Sequence, residues 1–207
     1  MKRLTLLPGL LFLMLQAAFS QESGSCKPVN LVCDYLVNPL GIDNPAPRLS
    51  WMLNDARKGA RQTACQVIVD KDSLELIAGK GTIWDSGKKD SEQILITYSG
   101  QELRPFTKYY WRVNVWDKDG ILARVKSSSA INSFETGMMG MEHWQGAWIS
   151  DNKDINYRPA PYFRKVFDAR KKIWSARAYI AVAGLYELYI NGEKIGNHRL
   201  DPLYTRF

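Results

Sequence analysis

Short apolar runs recur along most of the chain at nearly regular spacing, and Gly, Pro, Asn and Asp separate them. No run sustains the period of a long helix, and short runs bounded by turn residues are typical of a β-sandwich. The seven predicted strands are residues 30–37, 48–53, 64–70, 83–85, 93–98, 109–117 and 130–135. Residues 73–78 are predicted to form a turn or two of helix. The fold class is therefore predicted to be all-β.

The clearest of these strands alternates strictly between two kinds of side chain. One face carries Tyr109, Trp111, Val113 and Val115, and the other carries Tyr110, Arg112, Asn114 and Trp116. A period of two predicts a half-buried strand of an antiparallel sheet.

A second β-rich region follows a short connector. Alternation returns at Tyr162–Phe167, and the run 176–195 predicts two strands joined at Asn191-Gly192. An Asn-Gly pair between such runs favours a hairpin, because both turn positions need positive φ. The predicted domains are a β-sandwich over 28–137, a connector over 138–143 and a partial β-domain over 144–207.

Residues 1–20 have the pattern of a secretory signal. Lys2 and Arg3 precede an apolar run over Leu4–Leu15, and Ala18-Phe19-Ser20 supplies small residues for cleavage near Ser20. The run is too short to span a bilayer comfortably, and no other apolar run approaches that length. The mature chain is predicted to be exported, to the periplasm or outside the cell.

An odd number of cysteines leaves at least one thiol unpaired within an exported chain. Cys26 follows the small residues Ser23-Gly24-Ser25, but the aliphatic residue usual before a lipidated cysteine is absent. Lipidation at Cys26 is therefore a less favoured alternative to a plain cleaved signal. Cys33 and Cys65 lie in strand-like runs and are predicted to be buried thiols.

The net charge of +7 does not indicate a nucleic-acid binder. Lys2 and Arg3 belong to the predicted leader, and the remaining basic residues are scattered. The densest group is Arg170-Lys171-Lys172. A nucleic-acid binder more often collects its basic residues on one face, so this group is interpreted as a solvated turn.

No residue pattern predicts catalysis, a metal or a cofactor. His143 and His198 have no second ligand at suitable spacing. Asp117-Lys118-Asp119 ends a strand and is interpreted as a turn. Glu187, within a strand-like run, and Asp201, in a loop, are interpreted as structural or solvated carboxylates. The predicted set of catalytic residues and metal ligands is therefore empty, the substrate-binding residues stay unknown, and no cofactor is predicted.

Two motifs resemble fibronectin type III domains. In Leu103-Arg104-Pro105-Phe106-Thr107-Lys108-Tyr109, the Leu, Pro and Thr lead into a Tyr as in a tyrosine corner, whose hydroxyl bonds back to the backbone. Leu49-Ser50-Trp51 resembles the early strand whose Trp fills the core. The first domain is therefore expected to be a fibronectin type III-like β-sandwich.

Over residues 30–207 the chain resembles the N-terminal part of bacterial α-L-rhamnosidases of glycoside hydrolase family 78. The resemblance rests on motifs that occur in order: Asn38-Pro39-Leu40-Gly41-Ile42-Asp43, Pro47-Arg48-Leu49-Ser50-Trp51, Gln62-Thr63-Ala64, Trp84-Asp85-Ser86-Gly87, Trp148-Ile149, Phe163-Arg164-Lys165, the run from Tyr186 to Gly192, and Leu200-Asp201-Pro202. It implies a fibronectin-like sandwich followed by the start of an incomplete jelly-roll sandwich of the galactose-binding type.

The resemblance also implies where the chemistry belongs. Members of the family remove terminal α-L-rhamnose from plant glycans with inversion, which needs two carboxyl groups about 6.5–9.5 Å apart. In the family both lie in a downstream (α/α)₆ barrel to which no position here corresponds. The chain is therefore expected to be truncated before the barrel and inactive alone, with a rhamnose-containing glycan and the downstream domains as partners. The alternatives are a stand-alone carbohydrate-binding module that uses Tyr110 or Trp116, and an interaction module.

Overall fold

A computed structural model describes residues 26–123, 131–154, 156 and 159–201. The predicted secretory leader lies outside the described residues. The chain divides into two compact units, with the boundary between Trp148 and Ile149.

The first unit is a sandwich of two antiparallel sheets, which confirms the predicted all-β class. One sheet has the order β1-β2-β6, and the other has the order β4-β3-β7-β8, with β5 also paired to β3. The strands are β1 Lys27–Cys33, β2 Arg48–Asn54, β3 Ala64–Asp70, β4 Trp84–Asp85, β5 Lys89–Asp90, β6 Leu95–Thr97, β7 Lys108–Trp116 and β8 Asn132–Glu135. Helix α1 spans Ser73–Ile77, and a short 3₁₀ helix spans Met141–His143. All seven predicted strands have a counterpart, and the polar β5 is additional.

Strand β7 is the centre of the larger sheet. It pairs with the whole of β3, from Ala64 opposite Trp116 to Asp70 opposite Tyr110, and with β8 on its other side. The predicted alternation is confirmed. The inward side chains, all at most 3% exposed, are Tyr109, Trp111, Val113 and Val115.

The tyrosine corner is confirmed by a hydrogen bond. The backbone N–H of Arg104 donates to the Tyr109 hydroxyl at 2.8 Å. The Tyr109 ring stacks on Phe134 with 5.3 Å between ring centroids. This bond and this stack together fix the loop before β7 to the core.

Trp51 fills the core as predicted, with its indole N–H paired inside the protein. Nε1 donates to Oε1 of the buried Gln62 at 3.0 Å. The Gln62 amide in turn donates to the carbonyls of Ser91 at 2.9 Å and Gln93 at 2.8 Å. Gln62 therefore joins β2 to the segment before β6, with both ends of its amide satisfied.

Helix α1 covers the outer face of the larger sheet. Asp72 caps its first turn, because the Asp72 carboxylate accepts the N–H of Leu74 at 2.8 Å. Leu76 of α1 and Ile68 of β3 are both fully buried. The segment after α1 passes so close that a Cβ on Gly81 would lie 2.8 Å from the Ile68 Cβ. Strand β3 is therefore buried on both faces.

The predicted strand over residues 30–37 is wrong in its second half. Strand β1 ends at Cys33, where Asp34 and Tyr35 take φ values of 44° and 68°. Leu36 then exchanges two backbone hydrogen bonds of 2.9 Å with Cys33. Two successive residues with positive φ make a tight turn that reverses the chain.

The loop after this turn lies along the edge of β8. The Ile42 N–H donates to the Glu135 carbonyl at 3.0 Å, and the Gly137 N–H donates back to the Ile42 carbonyl at 2.8 Å. The Asp43 carboxylate accepts the N–H of Met139 at 2.7 Å. The loop thus covers a sheet edge that would otherwise be open for pairing.

The second unit contains the predicted hairpin. Strand β9, Tyr189–Ile190, pairs with β10, Glu193–Lys194, and the turn has φ values of 52° at Asn191 and 87° at Gly192. The strand predicted over 162–167 does not form in the described part of this unit, and the two strands predicted within 176–195 are limited to Tyr189–Ile190 and Glu193–Lys194. Alternating side chains mark a face, but a strand also needs a neighbour to satisfy its backbone groups.

Candidate functional site

A row of polar side chains crosses the outer face of the larger sheet. Arg112 Nη2 donates to Asn114 Oδ1 at 3.0 Å, and Asn114 Nδ2 donates to Gln66 Oε1 at 3.0 Å. Gln66 Nε2 then donates to Asp85 Oδ1 at 2.8 Å. Three strands, β7, β3 and β4, are connected by this row.

Arg112 is a structural member of the row. Its Nη1 donates to the Leu76 carbonyl of helix α1 at 3.1 Å. Burial lowers the pKa of its guanidinium. An arginine held under a helix in this way supports the α1 contact and does not project towards a ligand.

The two aromatic residues predicted as sugar platforms lie at the ends of this face. Tyr110 and Trp116 are both half-buried. The Lys108 ammonium lies 5.1 Å from the Tyr110 ring centroid, and the Lys88 ammonium lies 4.9 Å from that of Trp116. A sugar that stacked on the same ring face would have to displace this cation.

Carboxylates of the first unit converge on one guanidinium. Arg57 contacts the oxygens of Asp55 at 2.7 Å, Asp117 at 2.8 Å and Asp119 at 2.7 Å. The Asp117 carboxylate also accepts the N–H groups of Asp119 and Ile121, each at 3.0 Å. The interpretation of residues 117–119 as a turn is therefore confirmed, and Arg57 ties this turn to the end of β2.

The electrostatics of this group oppose proton transfer. Hydrogen bonds from the Arg57 side chain and backbone lower the pKa of Asp55 to about 2. Burial raises the pKa of Asp117, but the N–H groups of Ile121 and Asp119, together with Arg57, outweigh it and leave that pKa lowered. A general acid at neutral pH needs a raised pKa, so neither carboxylate is suited to that role.

The candidate residues of the second unit form local pairs. Glu187 accepts hydrogen bonds from Lys194 Nζ at 2.7 Å and the Tyr189 hydroxyl at 2.9 Å, and these bonds lower its pKa. His198 Nδ1 lies 3.0 Å from Asp201 Oδ1. These contacts agree with the interpretation of Glu187 and Asp201 as structural carboxylates.

Among the described residues, no group of three or more His, Cys, Asp or Glu side chains is arranged to hold a metal ion. His143 lies 3.7 Å from the neighbouring Glu142. Within the same described ranges, no helix is both long and apolar enough to cross a membrane.

The three described cysteines are free and buried in the first unit. Burial, with a smaller contribution from Asp34, raises the pKa of Cys33 to about 12. Burial also raises the pKa values of Cys26 and Cys65. Thiols of this kind are protonated and inert at neutral pH, which confirms the prediction for Cys33 and Cys65.

Sequence reasoning missed one exposed surface. Tyr35, Leu36, Val37 and Leu40 are each more than half exposed. The pattern of residues 30–37 suggested a buried strand, and only Asp34, a common turn residue, signals the reversal.

Two family descriptions match the chain. "Rha78A-like, N-terminal immunoglobulin domain" covers residues 28–140, and "Alpha-L-rhamnosidase N-terminal domain" covers residues 171–207. They follow one another in the order expected of an N-terminal region.

The chain is also similar to curated relatives named alpha-L-rhamnosidase. One from Formosa agariphila is 30% identical over 193 residues, which cover 82% of this chain and 20% of the relative. One from Streptomyces avermitilis is 32% identical over 191 residues, which cover 81% of this chain and 18% of the relative. The chain thus spans about a fifth of the length of these relatives.

Solved structures agree with this assignment. An α-L-rhamnosidase from Dictyoglumus thermophilum matches with a TM-score of 0.56 and 38% identity, over 59% of this chain and 14% of that one. The Streptomyces avermitilis α-L-rhamnosidase, in complex with L-rhamnose, matches with a TM-score of 0.56 and 40% identity, over 60% of this chain and 12% of that one. Since the first family description covers over half of the chain, the chain belongs to the family of Rha78A-like N-terminal immunoglobulin domains and corresponds to the N-terminal region of glycoside hydrolase family 78 α-L-rhamnosidases.

Proposed function

We propose that this chain serves as the non-catalytic N-terminal support of a secreted α-L-rhamnosidase. The observation that carries the proposal is the extent of the match, which takes in most of this chain and only about a fifth of the curated relatives. The described carboxylates support it, since those of Asp55, Asp117 and Glu187 are paired with cations and have lowered pKa values.

The substrate class follows from the same relatives. We propose that the parent enzyme hydrolyses terminal α-L-rhamnose from plant glycans with inversion, as part of carbohydrate metabolism. Inversion uses one carboxylic acid to protonate the leaving group and one carboxylate to activate water, and both belong to a barrel beyond the region matched here. The relative solved with L-rhamnose supports rhamnose as the recognised sugar.

Export by a cleaved signal near Ser20 is part of the proposal. Basic residues followed by an apolar run over Leu4–Leu15 support it. The Cys26 side chain is fully buried in the core of the first unit. This burial favours a plain signal over lipidation, because a lipid on Sγ would require Cys26 to leave the core.

A domain exchange tests the supporting role. In the Streptomyces avermitilis enzyme, the matched N-terminal region is replaced by residues 21–207 of this chain, which makes the exchange enzyme. We expect the exchange enzyme to hydrolyse an aryl α-L-rhamnoside and to unfold at a temperature close to that of its parent. An exchange enzyme that is insoluble or inactive would contradict the proposal, with the parent enzyme prepared in parallel as the control.

A further inference from the structure

An exposed apolar surface lies on the loop that follows β1. The exposed fractions are 65% for Tyr35, 57% for Leu36, 68% for Val37 and 64% for Leu40. No other six-residue stretch among the described residues of the first unit exposes as many large apolar side chains. We call these four side chains the Tyr35 surface. Contiguous exposed apolar side chains are characteristic of interaction sites.

The Tyr35 ring is held in place before any partner arrives. Its backbone has a φ of 68°, which is unfavourable for a bulky residue. The Arg48 guanidinium lies 4.6 Å from the ring centroid. The Asp34 carboxylate accepts hydrogen bonds from the backbone N–H of Arg48 and from the side-chain amide of Asn44, each at 2.9 Å. The turn thus fixes the backbone of Tyr35 before binding, and the stacked arginine favours one position of its ring.

The same loop is fastened to the last strand of the first unit. The Asn38 amide oxygen accepts the N–H of Ser133 in β8 at 2.8 Å. The Asp43 carboxylate accepts the N–H of Met139, just beyond β8, at 2.7 Å. The loop that bears the Tyr35 surface is therefore hydrogen-bonded to β8 and to the residue Met139 that follows it.

The chemistry of the surface fits protein better than glycan. A sugar site needs several polar groups that converge on hydroxyls beside an aromatic ring. Here the polar groups near Tyr35 are already paired, since Arg48 stacks on the ring and the Asp34 carboxylate accepts from Arg48 and Asn44. The other exposed side chains of the loop, Leu36, Val37 and Leu40, are aliphatic. A Tyr and an Arg on a loop that also exposes aliphatic side chains are typical of a protein interface.

We propose that the Tyr35 surface is the docking site of the α-L-rhamnosidase polypeptide that lies beyond the region matched by this chain. The inference rests on the proposed function. Its occupant is the larger part of the relatives, of which this chain matches only 20% and 18%. A polypeptide of that size is long enough to supply a protein partner for an apolar surface.

Cysteine labelling tests the proposal, since the native thiols are buried. Val37→Cys and the matched control Leu74→Cys replace side chains that are both 68% exposed, and Leu74 lies on helix α1, which packs on β3 and β7. Each variant is prepared in the 207-residue chain and in the exchange enzyme, and a maleimide is added to the native protein. We expect Val37→Cys to react at least about tenfold more slowly in the exchange enzyme, because the buried thiol reacts only during transient opening. Leu74→Cys should react equally fast in both.

The variant Tyr35→Gly tests whether the aromatic side chain itself is needed for docking. Glycine suits the φ of 68°, so the turn keeps its geometry while the anchor is lost. In the exchange enzyme, Tyr35→Gly should restore fast labelling of Val37→Cys, and the unfolding temperature of the 207-residue chain should not fall.

The labelling rates distinguish a failure of the docking site from a failure of the proposed function. Fast labelling of Val37→Cys in an active exchange enzyme would overturn the docking site and leave the proposed function standing. Slow labelling already in the 207-residue chain, or only when a rhamnogalacturonan fragment is added, would show a different occupant and also overturn it. An inactive exchange enzyme would remove the proposed function and the docking site together.

Discussion

The two units of this chain contain the same kinds of side chain and use them in opposite ways. In the first unit, Trp51 is 2% exposed and Trp111 is fully buried. In the second unit, Trp174 is 88% exposed and Tyr162 is 97% exposed. Both regions are aromatic and alternating in sequence. The difference teaches that an apolar face becomes a core only where a second sheet is present to cover it.

Hydrogen bonding shows the same contrast. Strand β7 is paired along nine residues and lies between β3 and β8. Strands β9 and β10 have two residues each and pair only with one another among the described residues. A two-stranded ribbon is marginal in water, whereas three or more strands with a buried face are stable. The first unit should therefore fold independently, and the second should not.

Limited proteolysis should show the largest difference between the two units. Trypsin at low concentration should remove residues beyond about 148 and leave a resistant fragment of the first unit, since cleavage requires an exposed, locally open backbone. Mass spectrometry of the time course identifies the fragment. Equal survival of both units would break the comparison.

Two matched tryptophan substitutions, one in each unit, should show the next largest difference, in the free energy of unfolding. Trp51→Ala removes a side chain packed in the core and leaves Gln62 without its partner, so we expect a loss of about 3–5 kcal/mol in the free energy of unfolding. Trp174→Ala removes a side chain that is 88% exposed and should leave this free energy unchanged. Chemical denaturation followed by circular dichroism measures both. Similar losses for the two variants would contradict the account.

Acid should cause the smallest loss of stability, and only in the first unit. The pKa of Asp55 is lowered to about 2 and that of Asp117 is also lowered, so their stabilisation is complete above about pH 4. It should be lost as the pH falls towards 2, because the folded state then has to take up protons at unfavourable sites. Thermal unfolding between pH 5 and pH 2 measures the loss.

Asp117→Asn is the control for the acid experiment. It removes one of the two Arg57-paired carboxylates whose pKa values are lowered, so the dependence of the unfolding temperature on pH should become shallower. An unchanged slope would mean that this ion group does not set the acid stability. Glu187 of the second unit also has a lowered pKa, but its ion pair with Lys194 lies at the surface and should add nothing to this transition.

Several elements of both units could be predicted from local signals. The alternation of 109–116, the Leu-Pro-Thr-Tyr spacing of the corner and the Asn-Gly turn each specify a local geometry, and all three are present. Strand β5 was missed because Lys89–Asp90 is polar and owes its pairing to its position beside β3. Alternation over 162–167 predicted a strand that does not form, because pairing depends on residues distant in sequence.

The Tyr35 surface could not be predicted from its own residues. A Tyr in the left-handed region is rare, so residues 30–37 read more simply as one strand. The turn there is held by Asp34 together with Arg48 and Asn44, which come later in the sequence. The periodicity of apolar residues cannot predict contacts of this kind between residues distant in sequence.

One measurement tests the central claim most directly, namely hydrolysis of an aryl α-L-rhamnoside by the purified 207-residue chain beside the exchange enzyme. We expect no release above the buffer rate from the chain alone and clear release from the exchange enzyme. Rhamnose release that copurifies with the chain alone, and that falls when Asp117 or Glu187 is replaced, would contradict a purely supporting role.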